Sequence, residues 1–204
     1  MTLNILYKLA CLAICLSVSN FTIARPISWS GGSTLMYKTN AMISSYYYHY
    51  SPNYKYSIGG EYVDDKYFNN KYFNIRGTYL LDRSNTKSSQ RNLYITSALS
   101  TKESDNFYYG IHGDWETRRL FTSFSHIYKH TKTNDYSESE LQIGIAPYLG
   151  EYNELHSWAM LKAKKDTIHD SWDVYPYVKI FKGDFLFEIG TKNSHWDIHY
   201  MLRF

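Results

Sequence analysis

Apolar and polar side chains alternate along most of this chain with a period of two, the pattern of strands with unlike faces. The cleanest run is the last. Trp196, Ile198, Tyr200, Leu202 and Phe204 oppose His195, Asp197, His199, Met201 and Arg203. Upstream, Tyr54, Tyr56, Ile58, Gly60 and Tyr62 oppose Lys55, Ser57, Gly59, Glu61 and Val63, and Phe73, Ile75, Gly77, Tyr79 and Leu81 oppose Asn74, Arg76 and Thr78. Phe107, Tyr109, Ile111, Gly113 and Trp115 face away from Tyr108, His112, Asp114 and Glu116. The pattern returns in Leu141, Ile143, Ile145 and Pro147 against Gln142, Gly144 and Ala146, and in Phe185, Phe187 and Ile189 against Leu186, Glu188 and Gly190. Weaker alternation predicts further strands over 34–39, 42–50, 91–99, 119–130, 154–163 and 172–181. The faces in 119–130 and 154–163 resist assignment.

Between these runs lie hydrophilic clusters of turn-forming residues: Ser51-Pro52-Asn53, Asp64 to Asn70, Asp82 to Gln90, Thr101 to Asn106, Thr131 to Ser137, Lys165 to Ser171, Lys182-Gly183-Asp184 and Lys192-Asn193-Ser194. No helical period persists over three turns, and no linker divides the chain. The reading is an all-β, antiparallel, up-and-down meander of about twelve strands, or about ten if 34–39 or 91–99 fails.

Residues 1–24 have the form of a secretory signal: Lys8, an apolar run from Leu9 to Val18, and a small-x-small site at Thr22-Ile23-Ala24. That run is far short of the ~20 residues a spanning helix needs. Cys11 and Cys15 lie inside it, where the flanking Lys8 and Ile14 argue against a lipid-attachment site. The domain prediction is therefore a cleaved leader, 1–24, and one unit, 25–204. The unit has no cysteine, which excludes disulfides, thiolate nucleophiles and Cys-ligated zinc. Without Lys8, 21 basic residues face 19 acidic ones, and no long basic run points to nucleic acid. No stretch after residue 24 approaches 18 consecutive apolar residues, and the mean hydropathy is −0.47, which excludes helical spans but not membrane strands, half of whose residues can be polar.

The terminal alternation, with an aromatic as final residue, resembles the closing strand of a bacterial outer-membrane β-barrel. The 22 tyrosines suit this class, because Tyr favours strands and membrane interfaces. The resemblance implies a transmembrane antiparallel barrel in the outer membrane of a Gram-negative bacterium. It implies outer-membrane lipids, periplasmic chaperones and the barrel-assembly machinery as partners, with Trp196, Ile198, Tyr200, Leu202 and Phe204 as the assembly signal. An even strand count puts both termini in the periplasm. The periplasmic turns then fall at 51–53, 82–90, 117–118, 149–154 and 182–184, and the outer loops at 39–41, 64–70, 101–106, 131–138, 165–171 and 192–194. Loops this short exclude large adhesive or ligand-binding loops.

Turning the apolar face to lipid places Glu61, Arg76, His112, Asp114, Glu116, Glu188, His195, Asp197, His199 and Arg203 toward the lumen, with Arg118 and Arg119 at a periplasmic turn. A charge on the lipid face costs ~2–4 kcal/mol near mid-membrane, so the segregation itself favours a barrel. The inward set suits a hydrogen-bonded plug that fills a small barrel, or a narrow, mildly selective pore of porin type. It also leaves room for a lipid-modifying enzyme, with a general base and orienting carboxylate drawn from Ser194, His195 and Asp197 or from His112, Asp114 and Glu116. Alternate strand positions lie about 7 Å apart, a loose fit for a dyad, and no nucleophile motif is present. His195 and His199 lie about 13 Å apart, too far to share a metal ion, while His126 and His130 read as surface or interfacial residues. No cofactor is indicated. The rival of another class is a secreted soluble β-sandwich, or adhesin, which needs no terminal aromatic.

Overall fold

The computed structural model describes residues 26–102, 106–132, 134–149 and 154–204. The expected leader 1–24, with both cysteines, lies outside them. Twelve strands follow one another: β1 (Gly32–Thr39), β2 (Ile43–Asn53), β3 (Tyr56–Asp65), β4 (Asn70–Asn85), β5 (Ser89–Ser100), β6 (Phe107–Thr117), β7 (Leu120–His130), β8 (Asp135–Ile145), β9 (His156–Asp166), β10 (Trp172–Lys182), β11 (Phe185–Lys192) and β12 (His195–Arg203). Each pairs antiparallel with the next, and β1 pairs with β12 from Thr34↔Arg203 to Thr39↔Ile198, so the sheet closes into a barrel without a free edge. The ten-strand alternative falls, because 34–39 and 91–99 both lie within strands.

Alternation decides which side chains face out. Ile58, Ile75, Ile95, Leu141, Ile143 and Leu161 are exposed on the outer surface, where a soluble sheet would bury its apolar face. Aromatics pair across neighbouring strands there: Tyr37 with Tyr46 at 4.7 Å and Phe185 with Tyr200 at 5.3 Å between ring centroids. Outward Asp, Glu, Lys and Arg occur only near strand ends. They include the ion pairs Lys71–Asp64 (3.3 Å) and Arg91–Asp82 (3.7 Å). The outer wall is thus an uncharged band with charged rims, as a membrane-spanning barrel requires.

Several expected loops prove shorter, 64–70 and 165–171 among them. The turn placed at 82–90 shrinks to 86–88, since β4 runs to Asn85 and β5 starts at Ser89. A bulge between Leu80 and Asp82 explains the hydrophilic run. It leaves Leu80 buried and Leu81 exposed, and turns Arg83 to Asn92 Oδ1 at 2.7 Å, so polar residues continue the ladder. The loop placed at 131–138 ends earlier because β8 begins at Asp135. The faces that resisted assignment resolve as well, with Phe121, Lys129, Trp158, Met160 and Lys162 turned inward.

The core lies inside the barrel. Nearer the end that carries Gly32 and Phe204, the lumen is filled by Phe121, Ala146, Trp158 and Met160, a cluster that Tyr177 and Tyr175 extend toward the other mouth, and by Met36, Tyr47, Leu186 and Met201. The segment before β1 folds into the same mouth. Ile27 is buried against Leu80 and Tyr94, the Ser28 amide donates to Ser51 Oγ (3.0 Å), and Trp29 lies beside the Arg203 guanidinium (5.5 Å). At the opposite mouth the loop 66–69 reaches over the opening, with Tyr67 against His169 (5.6 Å) and Phe68 against Tyr136 (5.9 Å). These contacts join the β3–β4 connection to the β8–β10 wall.

Candidate functional site

All twelve strands contribute to the wall of a central cavity of about 270 Å³. Eight of the ten sequence-selected charged residues line it: Glu61, Arg76, His112, Asp114, Glu116, Glu188, Asp197 and His199. The other two lie elsewhere. His195 is exposed at the rim, in a shallower vestibule of about 130 Å³ at the opposite mouth. Arg203 is buried near the terminal end, 3.5 Å from Asp184.

Three groups of charges form the wall. In the first, Glu61 on β3 is buried and accepts hydrogen bonds from Arg76 Nη1 (2.9 Å), Tyr108 Oη (2.7 Å) and Asn74 Nδ2 (3.4 Å). Arg76 also lies over the Tyr47 ring at 4.3 Å. In the second, Glu188 on β11 accepts from Tyr177 Oη (2.9 Å), bonds His199 Nδ1 (2.8 Å) and pairs with Lys179 (3.6 Å). The third crosses β7, β8, β9 and β12. Lys162 pairs with Asp197 (3.1 Å) and Glu140 (3.8 Å), Lys164 pairs with Glu138 (3.6 Å), and Lys129 also pairs with Glu138. Tyr175 Oη donates to Asp197 at 2.5 Å. Burying any of these ions alone would cost several kcal/mol, and each is held by a partner and further hydrogen bonds.

Lys38, Lys129, Glu138, Glu140, Lys162, Lys164 and Lys179 line the cavity but were not singled out from sequence. The available signal was parity: Trp158, Met160, Lys162 and Lys164 alternate on one face. That face mixes aromatics with lysines, because the lumen is apolar toward one end and charged in the middle.

The arrangements suggested for an enzyme do not assemble. Asp197 gives its carboxylate to Lys162 and Tyr175, while His195 stands at the rim. His112 Nε2 is 3.8 Å from Asp114 Oδ2, beyond hydrogen-bond reach, and Asp114 accepts instead from Asn92 Nδ2 at 2.7 Å. Among the described residues no group of three or more His, Cys, Asp or Glu is placed to hold a metal ion. His126 and His130 take partners on the adjacent strand, Ser139 and Asp135.

No protein-family model matches the chain, and no curated relative matches it. Solved structures do. The KdgM porin superposes with a TM-score of 0.52 at 9% identity, covering 85% of this chain and 98% of that one. The KdgM porin in complex with disordered oligogalacturonate gives 0.50 at 9% identity, with the same coverage. At that identity the likeness is one of architecture, and it spans nearly the whole of the porin. The chain has the closed antiparallel β-barrel fold of an outer-membrane porin.

Proposed function

We infer that the chain is a narrow, porin-like channel of the bacterial outer membrane, reached through a cleaved leader (1–24) and inserted with both termini in the periplasm. One observation carries the channel reading: a continuous cavity to which every strand contributes, lined at mid-height by ionised side chains. A barrel packed solid would leave no such space. Six Lys or Arg and seven Asp or Glu line it, so selectivity between small cations and anions is weak. Oligogalacturonate, found with the KdgM porin, is a polyanion and matches poorly a lumen this rich in carboxylates.

A second reading, a structural barrel closed to solutes, draws support from the segment Pro26–Ser30 at the periplasmic mouth and the loop 66–69 over the outer one. Conductance separates the two. Refolded protein in a planar bilayer is expected to pass current with a reversal potential near zero in a potassium chloride gradient. Folded protein that passes none rejects the channel.

Chaperones and the assembly machinery belong to the same proposal. They would read the outward ridge of β12, Trp196 to Phe204, while outer-membrane lipids cover the uncharged band.

A further inference from the structure

Ten charged side chains of the cavity form a balanced set. Arg76, Lys129, Lys162, Lys164 and Lys179 are ion-paired with Glu61, Glu138, Glu140, Glu188 and Asp197, five cations with five anions. Their fields largely cancel within a few ångströms. Three charged groups that line the cavity stand outside this set, Lys38, Asp114 and Glu116, and the first two face each other. Lys38, at an inward position of β1 between Ser45 and His199, lies open in the lumen with no ion-pair partner among the described residues. Asp114, on β6, meets the amide of Asn92 and the more distant His112 but no lysine or arginine. The strands β1 and β6 are five places apart in a ring of twelve, so these two charges stand on facing walls of one cavity, Lys38 toward the mouth at Thr39 and Asp114 toward the mouth at Thr117.

Fixed charges of opposite sign across a narrow, low-dielectric passage set up a transverse field. A singly charged solute is drawn to one wall and repelled by the other. A molecule with an ammonium at one end and a carboxylate at the other is attracted by both. The volume suffices, since a cavity of ~150 Å³ already holds benzene and this one measures about 270 Å³. We propose that the cavity is a binding site for small zwitterionic solutes, with the carboxylate at Lys38 and the cationic nitrogen at Asp114. The proposal rests on the channel reading for its biological role, but not for its test.

The test uses the full barrel, folded in detergent micelles, and four probes of one size: γ-aminobutyrate, butyrate, butylammonium and butyramide. Calorimetric or NMR titration is expected to show γ-aminobutyrate binding about tenfold more tightly than the other three, the scale of one charge-assisted contact. Lys38→Met should bring γ-aminobutyrate down to the level of butylammonium, and Asp114→Asn to that of butyrate. The exchange Lys38→Asp with Asp114→Lys should restore the preference, provided heat-dependent gel migration shows a folded barrel. Equal binding of all four probes, or a preference untouched by either single variant, overturns the site. The same protein in a bilayer separates the two claims. Current without selective binding removes the site and leaves the channel, and selective binding without current does the reverse.

Discussion

The phenol of Tyr108 donates a 2.7 Å hydrogen bond to Glu61, tying β6 to β3 through the lumen across 47 residues of sequence. The same carboxylate holds Arg76 at 2.9 Å, so three strands meet at one side chain. Glu61→Ala would leave the Arg76 guanidinium buried without its counterion. The expected loss is roughly 3 kcal/mol, at the low end for a broken buried pair because the cavity admits water. Glu61→Gln, which still accepts from Tyr108, should cost less. Urea unfolding in detergent, followed by tryptophan fluorescence, reads both. Equal stability of all three proteins would mean the carboxylate contributes nothing to holding the wall.

Ile27 anchors the segment before β1 at the mouth that carries Gly32 and Phe204, through Leu80 and Tyr94. Ile27→Asp removes roughly 2 kcal/mol of apolar burial and sets a charge in its place, which should release the segment while the strand ladder stays intact. Single-channel conductance is expected to rise in the variant, with gel migration unchanged. Identical conductance in both proteins would place the narrowest point elsewhere.

Gly59 marks a place where β2 and β3 lie too close for any side chain. A Cβ there would sit 1.9 Å from the Tyr48 carbonyl oxygen and 2.5 Å from the His49 Cα. Backbone atoms cannot rotate aside, so Gly59→Ala must displace a strand pair. The expected outcome is a marked fall in the yield of heat-modifiable, folded barrel. Wild-type refolding of the variant would show that the two strands have slack.

Phe204 sits next to β1, with its amide and carbonyl both bonded to Ser33. Its ring is exposed on the outer surface. Under the proposed role of β12 as assembly signal, Phe204→Ser leaves export intact but lowers the amount of protein in the outer membrane. Fractionation of cells expressing each form measures this, and normal insertion of the variant removes the signal from that residue.

The sequence made the outer wall legible because lipid imposes one rule on every outward position. Ile58, Ile75 and Ile143 alternate with polar residues whatever their neighbours do, and twelve strands emerge from that rule alone. The lumen obeys no single rule. Glu61 and Glu188 stand out because polar inward residues interrupt clearly alternating runs. Lys162 and Lys164 share a face with Trp158 and Met160, so nothing local tells lumen from lipid. Glu138 hides in a run of Ser, Glu, Asp and Asn that reads as a loop, though it continues β8. Which acid meets which base depends on the stagger between strands, a property of ring closure that no single strand carries.

The seam between β1 and β12 brings Thr34 against Arg203, whereas every other pairing joins strands adjacent in sequence. Eleven interfaces can zip up one after another through contacts between strands adjacent in sequence. The twelfth interface alone demands that two distant parts of the chain meet, and until they do both rims expose unpaired backbone amides and carbonyls. In a hydrocarbon layer such an open ribbon has no water to bond with. Closure is therefore the one pairing whose loop-closure cost spans the whole sheet, and a sequence change that spares the finished wall is expected to slow folding if it weakens that seam.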